Sequence, residues 1–231
     1  MARKIVFLLW ADAPGDEYPK RLLTELVPQL KALPGIVGLQ LNIADADVAG
    51  AADLRMENSA SGFDAMCSLY CDGQEDVSIL ERLLGGYAAQ LSRYHVDEFE
   101  RLANTGVQIE AGQRTPGFSQ VALLRCPARL EYAEWLRIWQ QEHTAVALAT
   151  QSTFRYVQNV VTELAGANVG CYHAIVEECF PEQAMVDSQV FYNAKGDADK
   201  CQRNMQKMIE SCSKFIDFDE IDVIPTSEYC F

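Results

Sequence analysis

Residues 131–161 read EYAEWLRIWQQEHTAVALATQSTFRYVQNVV. At 100° per residue, Trp135, Leu136, Trp139, His143, Val146 and Ala147 fall on one side of a helix. The spacing predicts a helix over Leu130–Thr150 with an aromatic, inward-facing side and one imidazole near its middle. The run Phe154–Leu164 then alternates and is rich in β-branched and aromatic residues, which predicts a strand. On that strand Tyr156 and Gln158 share a face with Phe154, while Asn159 lies with Arg155 and Val157.

Working outward, Gln120–Arg125 (QVALLR) precedes the helix as a strand, and Cys171–Cys179 follows as a third. Pro181–Asp187 reads as a short helix, Asp197–Lys214 as the second main helix and Phe218–Ile224 as a closing strand. The N-terminal half repeats this order. Lys4–Trp10 (KIVFLLW) is a strand, Glu17–Leu33 a helix ended by Pro34-Gly35, Ile36–Ile43 a strand, and Ala44–Ser61 a small, polar loop. Phe63–Cys71 is the third strand, Val77–Tyr94 the second helix and Val96–Leu102 the fourth strand. A Gly- and Pro-containing linker separates the halves. The organisation expected is an N-terminal ferredoxin-like repeat over 1–104, a linker over 105–119 and a C-terminal repeat over 120–231. The fold class is α+β: two β-α-β-β-α-β repeats with antiparallel sheets. Helices cover one face of each sheet, so the other faces must be buried against each other as a barrel, within one chain or between two.

The chain has 231 residues and a formal net charge of −14, which argues against nucleic acid and anionic membrane surfaces as partners. The apolar run near the start is cut short by Asp12 and Asp16 and reads as a buried strand rather than a leader. No stretch approaches a membrane span. The 8 cysteines are scattered without a CxxC pair and are expected to be reduced thiols of a cytoplasmic protein. Phosphate-cradling glycine motifs are missing, as are HExxH and paired Cys/His spacings. No nucleotide, other cofactor or metal is therefore expected.

His143 can move a proton near neutral pH, and burial beside Trp135 and Trp139 favours the neutral, basic form. A core histidine tied to backbone is the plainer alternative. Tyr156 or Asn159 could stabilise an enolate-like oxygen, although an ideal strand sends them to opposite faces. His173 and Glu177 share a face on the third strand, and either could orient His143 from across the sheet. Trp135 and Trp139 could stack on a planar ligand, Gln158 could line the same pocket, and Arg125 could receive a carboxylate. Setting Glu17-Tyr18 against Glu131-Tyr132 places Gln29 opposite His143, so one centre per chain is expected.

The run W-x3-W-x3-H (Trp135, Trp139, His143), then Arg155-Tyr156-Val157-Gln158-Asn159, and the strand YHAIVEECF with its Glu177, resemble the EthD domain. The likeness covers Gln120 to the end; the N-terminal half fits only as a degenerate copy. His173 departs from the family pattern, where a small or acidic residue is usual. The resemblance implies a dimeric α+β barrel, often a homodimer, with a pocket for a small hydrophobic, aromatic or polycyclic substrate. It also implies cofactor-free lyase or isomerase chemistry: elimination, decarboxylation or dehydration by proton transfer at His143. The alternative is a non-catalytic binding or accessory protein of a degradation pathway. A pocket whose polar groups converge near His143 favours the enzyme.

Overall fold

A computed structural model of the chain describes residues 3–13, 15–58, 62–165 and 171–231; the end of the expected 44–61 loop, 59–61, lies outside the described residues. Strands β1 (Arg3–Trp10), β2 (Ile36–Ile43), β4 (Ala65–Cys71) and β5 (Gln90–Leu102) form the first half, in the order β2-β4-β1-β5. The second half repeats that order as β7-β8-β6-β9, from β6 (Phe118–Leu124), β7 (Arg155–Ala165), β8 (Ala174–Phe180) and β9 (Asp222–Cys230). The two sheets join edge to edge through β5–β7 and β2–β9, and every pairing is antiparallel. An eight-stranded barrel therefore closes within one chain, so no edge of either four-stranded sheet is left unpaired. A two-residue strand β3 (Met56–Glu57) adds to β9.

Strand alternation sorts the core. Ile5, Phe7 and Leu9 face outward under the 17–31 helix, while Val6, Leu8 and Trp10 point into the barrel with Phe63, Met66 and Tyr94. The second half does the same: Ala122, Leu124, Ala174 and Val176 face outward against Trp135 and Trp139. One end of the lumen is apolar and the other is ionic. Lys4 Nζ there donates to Glu98 at 2.6 Å and Glu177 at 2.8 Å, and Arg155 donates to Glu228 at 2.7 Å.

Several elements end elsewhere than the sequence suggests. The helix expected over Val77–Tyr94 stops at Gly85, and β5 begins at Gln90 because burial alternates from there. The closing strand starts at Asp222, not Phe218, and runs on to Cys230. A turn from Asp217 to Glu220 precedes it, and its inward residues Thr226 and Glu228 are polar because the lumen is polar at that end. The 44–61 loop contains a 3-10 helix, Ala46–Leu54. The first helix ends at Lys31. The first helix of each half is α–π–α: Glu17–Arg21, Leu22–Leu26, Val27–Lys31, and Tyr132–Arg137, Ile138–His143, Thr144–Thr150. The internal repeat thus extends to the helical irregularity itself.

The 3-10 turn after β8 (Glu182–Met185) closes against the entry to β6. Gly117 adopts φ 94° there, and a Cβ at this position would strike the Phe180 carbonyl oxygen. Gly117→Ala is therefore expected to lower stability by at least roughly 2 kcal/mol, since both the dihedral and the space exclude a side chain. Urea denaturation checks this, and a change within about 0.5 kcal/mol would contradict the packing described.

Candidate active site: a cavity between sheet and helices

The 132–150 and 198–212 helices lie over the outer face of the second-half sheet and leave a cavity of about 90 Å³. Trp139, His143, Tyr156 and Glu178 line it, together with the polar Gln120 and Gln151 and the apolar Val176, Met208 and Phe215. Four larger hollows, of about 630, 490, 460 and 250 Å³, lie elsewhere on the surface; in the first of them Lys4 and Glu98 are already paired with each other. The smaller cavity is where unpaired polar groups meet an apolar wall, which is the arrangement chemistry needs.

His143 ends the π segment, the turn type that recurs at functional sites. Only 6% of it is exposed, its ring lies 4.7 Å from that of Phe215, and Nδ1 shares a 3.0 Å hydrogen bond with Ser211 Oγ. Burial holds the imidazole well below its ordinary 6.5, down to about 4. It is neutral at pH 7. Glu178 sits opposite on β8, in register with Tyr156 of β7. Its Oε1 is buried without a partner, and burial pushes its carboxyl up from 4.5 to about 8. The cavity therefore pairs a neutral base with a carboxyl that stays largely protonated. The Tyr156 hydroxyl accepts from the Gln158 amide at 3.3 Å, and burial raises its pKa.

Of the residues singled out in the sequence, His143, Trp139 and Tyr156 line the cavity. Trp135 supports it from behind, 5.4 Å from Trp139 between ring centroids, with its indole donating to Phe215 O. Gln158 shares the outer face but is committed to Arg101, Thr144 and Tyr156. Asn159 and Glu177 are on the other side of the sheet, joined at 2.9 Å inside the barrel. They share neither the pocket nor a path to His143, because strand parity sends them to the lumen. His173 precedes β8, accepts from the Cys126 N–H at 3.0 Å and packs near Trp135 and Tyr132. It does not orient His143; Ser211 does. Arg125 stands over the Tyr172 ring at 5.1 Å, outside the cavity lining.

The first half holds no matching imidazole. Gln29 is exposed and bonded to Tyr87, while Leu26, Val27 and Leu30 fill the inner side of that helix. Glu178, Gln151 and Ser211 escaped the sequence reading. The register of β8 against β7 identifies Glu178, since it faces Tyr156; nothing in the sequence marks Ser211, which reaches His143 from 68 residues away. Among the described residues no three His, Cys, Asp or Glu side chains form a group able to hold a metal, and no helix is long and apolar enough to cross a membrane.

No protein-family model matches the sequence, and no curated protein matches it. Solved structures do. An anthrone oxidase-like protein superposes with a TM-score of 0.60 at 9% identity, over 99% of this chain and 93% of the other. The fold is a dimeric α+β barrel. A protein assigned as a monooxygenase from Fusobacterium nucleatum subsp. nucleatum gives a TM-score of 0.53 at 8% identity, over 99% and 92% of the two chains. A variant chlorite dismutase from Candidatus Nitrospira defluvii gives 0.45 at 12% identity, over 98% and 90%. The two sheets that are joined edge to edge here come from one chain, so the barrel needs no second copy to close.

Proposed function

We propose that this chain is a cofactor-free enzyme that moves protons on a neutral aromatic compound, with His143 as base and Glu178 as acid. The observation that carries this reading is that both groups, each in its uncharged form, line one largely apolar cavity. With Nδ1–H donating to Ser211 Oγ, His143 Nε2 holds the free lone pair. It takes a proton from an acidic C–H beside an aryl carbonyl, while the Glu178 O–H gives its proton to the carbonyl oxygen. The products are the enol, an imidazolium and a carboxylate. Proton donation to the carbonyl oxygen acidifies the adjacent C–H, which offsets the weak basicity of the buried imidazole. Elimination or dehydration of the enol then follows, according to the leaving group the substrate carries. The EthD-like run Trp135-x3-Trp139-x3-His143 supports this assignment, because it is the segment that builds the cavity wall.

The test is deuterium incorporation. A panel of enolisable aryl ketones no larger than an acetyl group on a five-membered ring, 2-acetylpyrrole among them, in D₂O and followed by NMR, is expected to exchange at the carbon beside the carbonyl with wild type. Exchange should drop by roughly 10²-fold or more in His143→Gln and in Glu178→Gln. Exchange that persists in both variants, or is absent from wild type across the panel, would remove the catalytic reading.

A further inference from the structure

We infer that the cavity selects a compact, neutral ring carrying a hydrogen-bond donor, and that Gln151 is the residue that reads the donor. This deepens the proton-transfer reading and rests on it for the chemistry, but its evidence is separate. Gln151 caps the end of the 132–150 helix, where its backbone N–H is fixed on Ala147 O at 3.0 Å. Its side chain is turned inward, 5% exposed, and its Oε1 is buried with no partner. A buried amide oxygen is nearly always bonded, and leaving one bare is unfavourable. Glu178 Oε1 is bare in the same cavity, and the two do not bond to each other. Glu178 has its own proton to give, so the Gln151 oxygen is the acceptor that a ligand N–H or O–H in this space would complete.

The rest of the ligand follows from the lining. No Lys or Arg lines the cavity, so an anionic ligand would be buried without a counter-charge. Trp139, Val176 and Phe215 suit a planar apolar body. The volume sets the size. About 90 Å³ is less than the ~150 Å³ of a cavity known to hold benzene, so the space fits a five-membered ring, or a six-membered one if flexible Met208 gives way. A wholly apolar ring would enter but leave the Gln151 oxygen bare.

Pyrrole and furan make the test, being near-isosteric with and without the N–H. Each is titrated into the full chain with amide NMR shifts as readout. Pyrrole is expected to bind at least roughly ten-fold more tightly than furan, with shifts centred on residues 139–151 and 176–178. Gln151→Leu should erase the preference by weakening pyrrole and strengthening furan, and Gln151→Met should do the same if the leucine variant folds poorly. Equal binding of the two rings, shifts confined to other parts of the chain, or no binding of either overturns the inference. Pyrrole preference without deuterium exchange on aryl ketones would instead leave this selectivity standing and remove the proton-transfer reading. Exchange with no ring preference would do the reverse.

Discussion

Replacing Glu177 by Gln is expected to destabilise the protein by about 3–5 kcal/mol, the usual result of removing one partner from a buried ion pair. Glu177 is fully buried in the barrel lumen. It accepts from Lys4 and Asn159, and from Gln40 across the β2 side, and lies 3.8 Å from Arg155. Lys4 and Arg155 hold its carboxyl well below the ordinary 4.5, outweighing the cost of burial. The variant keeps the shape and leaves Lys4, itself 3% exposed, with only the partly exposed Glu98 for balance. The pH dependence has a definite sign. The folded pKa is depressed, so the stabilisation is complete above pH 4.5 and is lost as pH falls toward the lowered folded value. Urea titrations of wild type and Glu177→Gln should therefore differ most at neutral pH and converge in acid. A double variant, Lys4→Met with Glu177→Leu, should recover much of the loss, because removing both charges also removes both desolvation costs. A Glu177→Gln protein as stable as wild type at pH 7 would show that the lumen network carries no such energy.

This network was hidden in the sequence for a reason that also explains the other misreadings. The outer layer was legible: the 3.6 period of Trp135, Trp139 and His143, and the apolar runs of β1, β6 and β8, each face a hydrophobic neighbour. The lumen was not, because polar side chains on an inward face look like solvent-facing ones. The predicted closing strand stops at Ile224, before the polar Thr226 and Glu228, whereas both are almost wholly buried within β9. In the candidate site, strand parity correctly split Tyr156 from Asn159. Parity alone could not say whether Glu177 or Glu178 faced the helices, since either choice places a charge inside the protein. Only the pairing of Tyr156 with Glu178 decides it. The π segment was also illegible, as a 100° wheel already put His143 on the inner side.

The neighbouring glutamate should behave in the opposite way: Glu178→Gln is expected to stabilise the protein, by an amount that grows with pH. Glu178 has no cation beside it, and burial alone raises its pKa from 4.5 to about 8. The folded state therefore binds this proton more tightly than the unfolded chain. Relative stability is full below pH 4.5 and falls by about 1.4 kcal/mol per pH unit as pH rises toward 8. Glutamine fills the same space and never ionises, so it escapes the loss, and the gain at pH 8 should reach on the order of 3–5 kcal/mol. His143 supplies the opposing slope, because its folded pKa is depressed to about 4. Its contribution is full above pH 6.5 and is lost as pH falls from there. Wild type should thus be nearly flat between pH 4.5 and 6.5, where the two slopes cancel, and decline above that. Glu178→Gln should rise to pH 6.5 and then level off. Parallel profiles for the two proteins would mean that Glu178 is not held protonated, and the acid half of the proposed pair would fall with it. If instead the variant gains stability and loses deuterium exchange together, the unpaired carboxyl is a destabilising group kept in place by its chemistry. A residue serving only the fold would have no reason to remain there, since glutamine occupies the site at lower free energy across the whole neutral range.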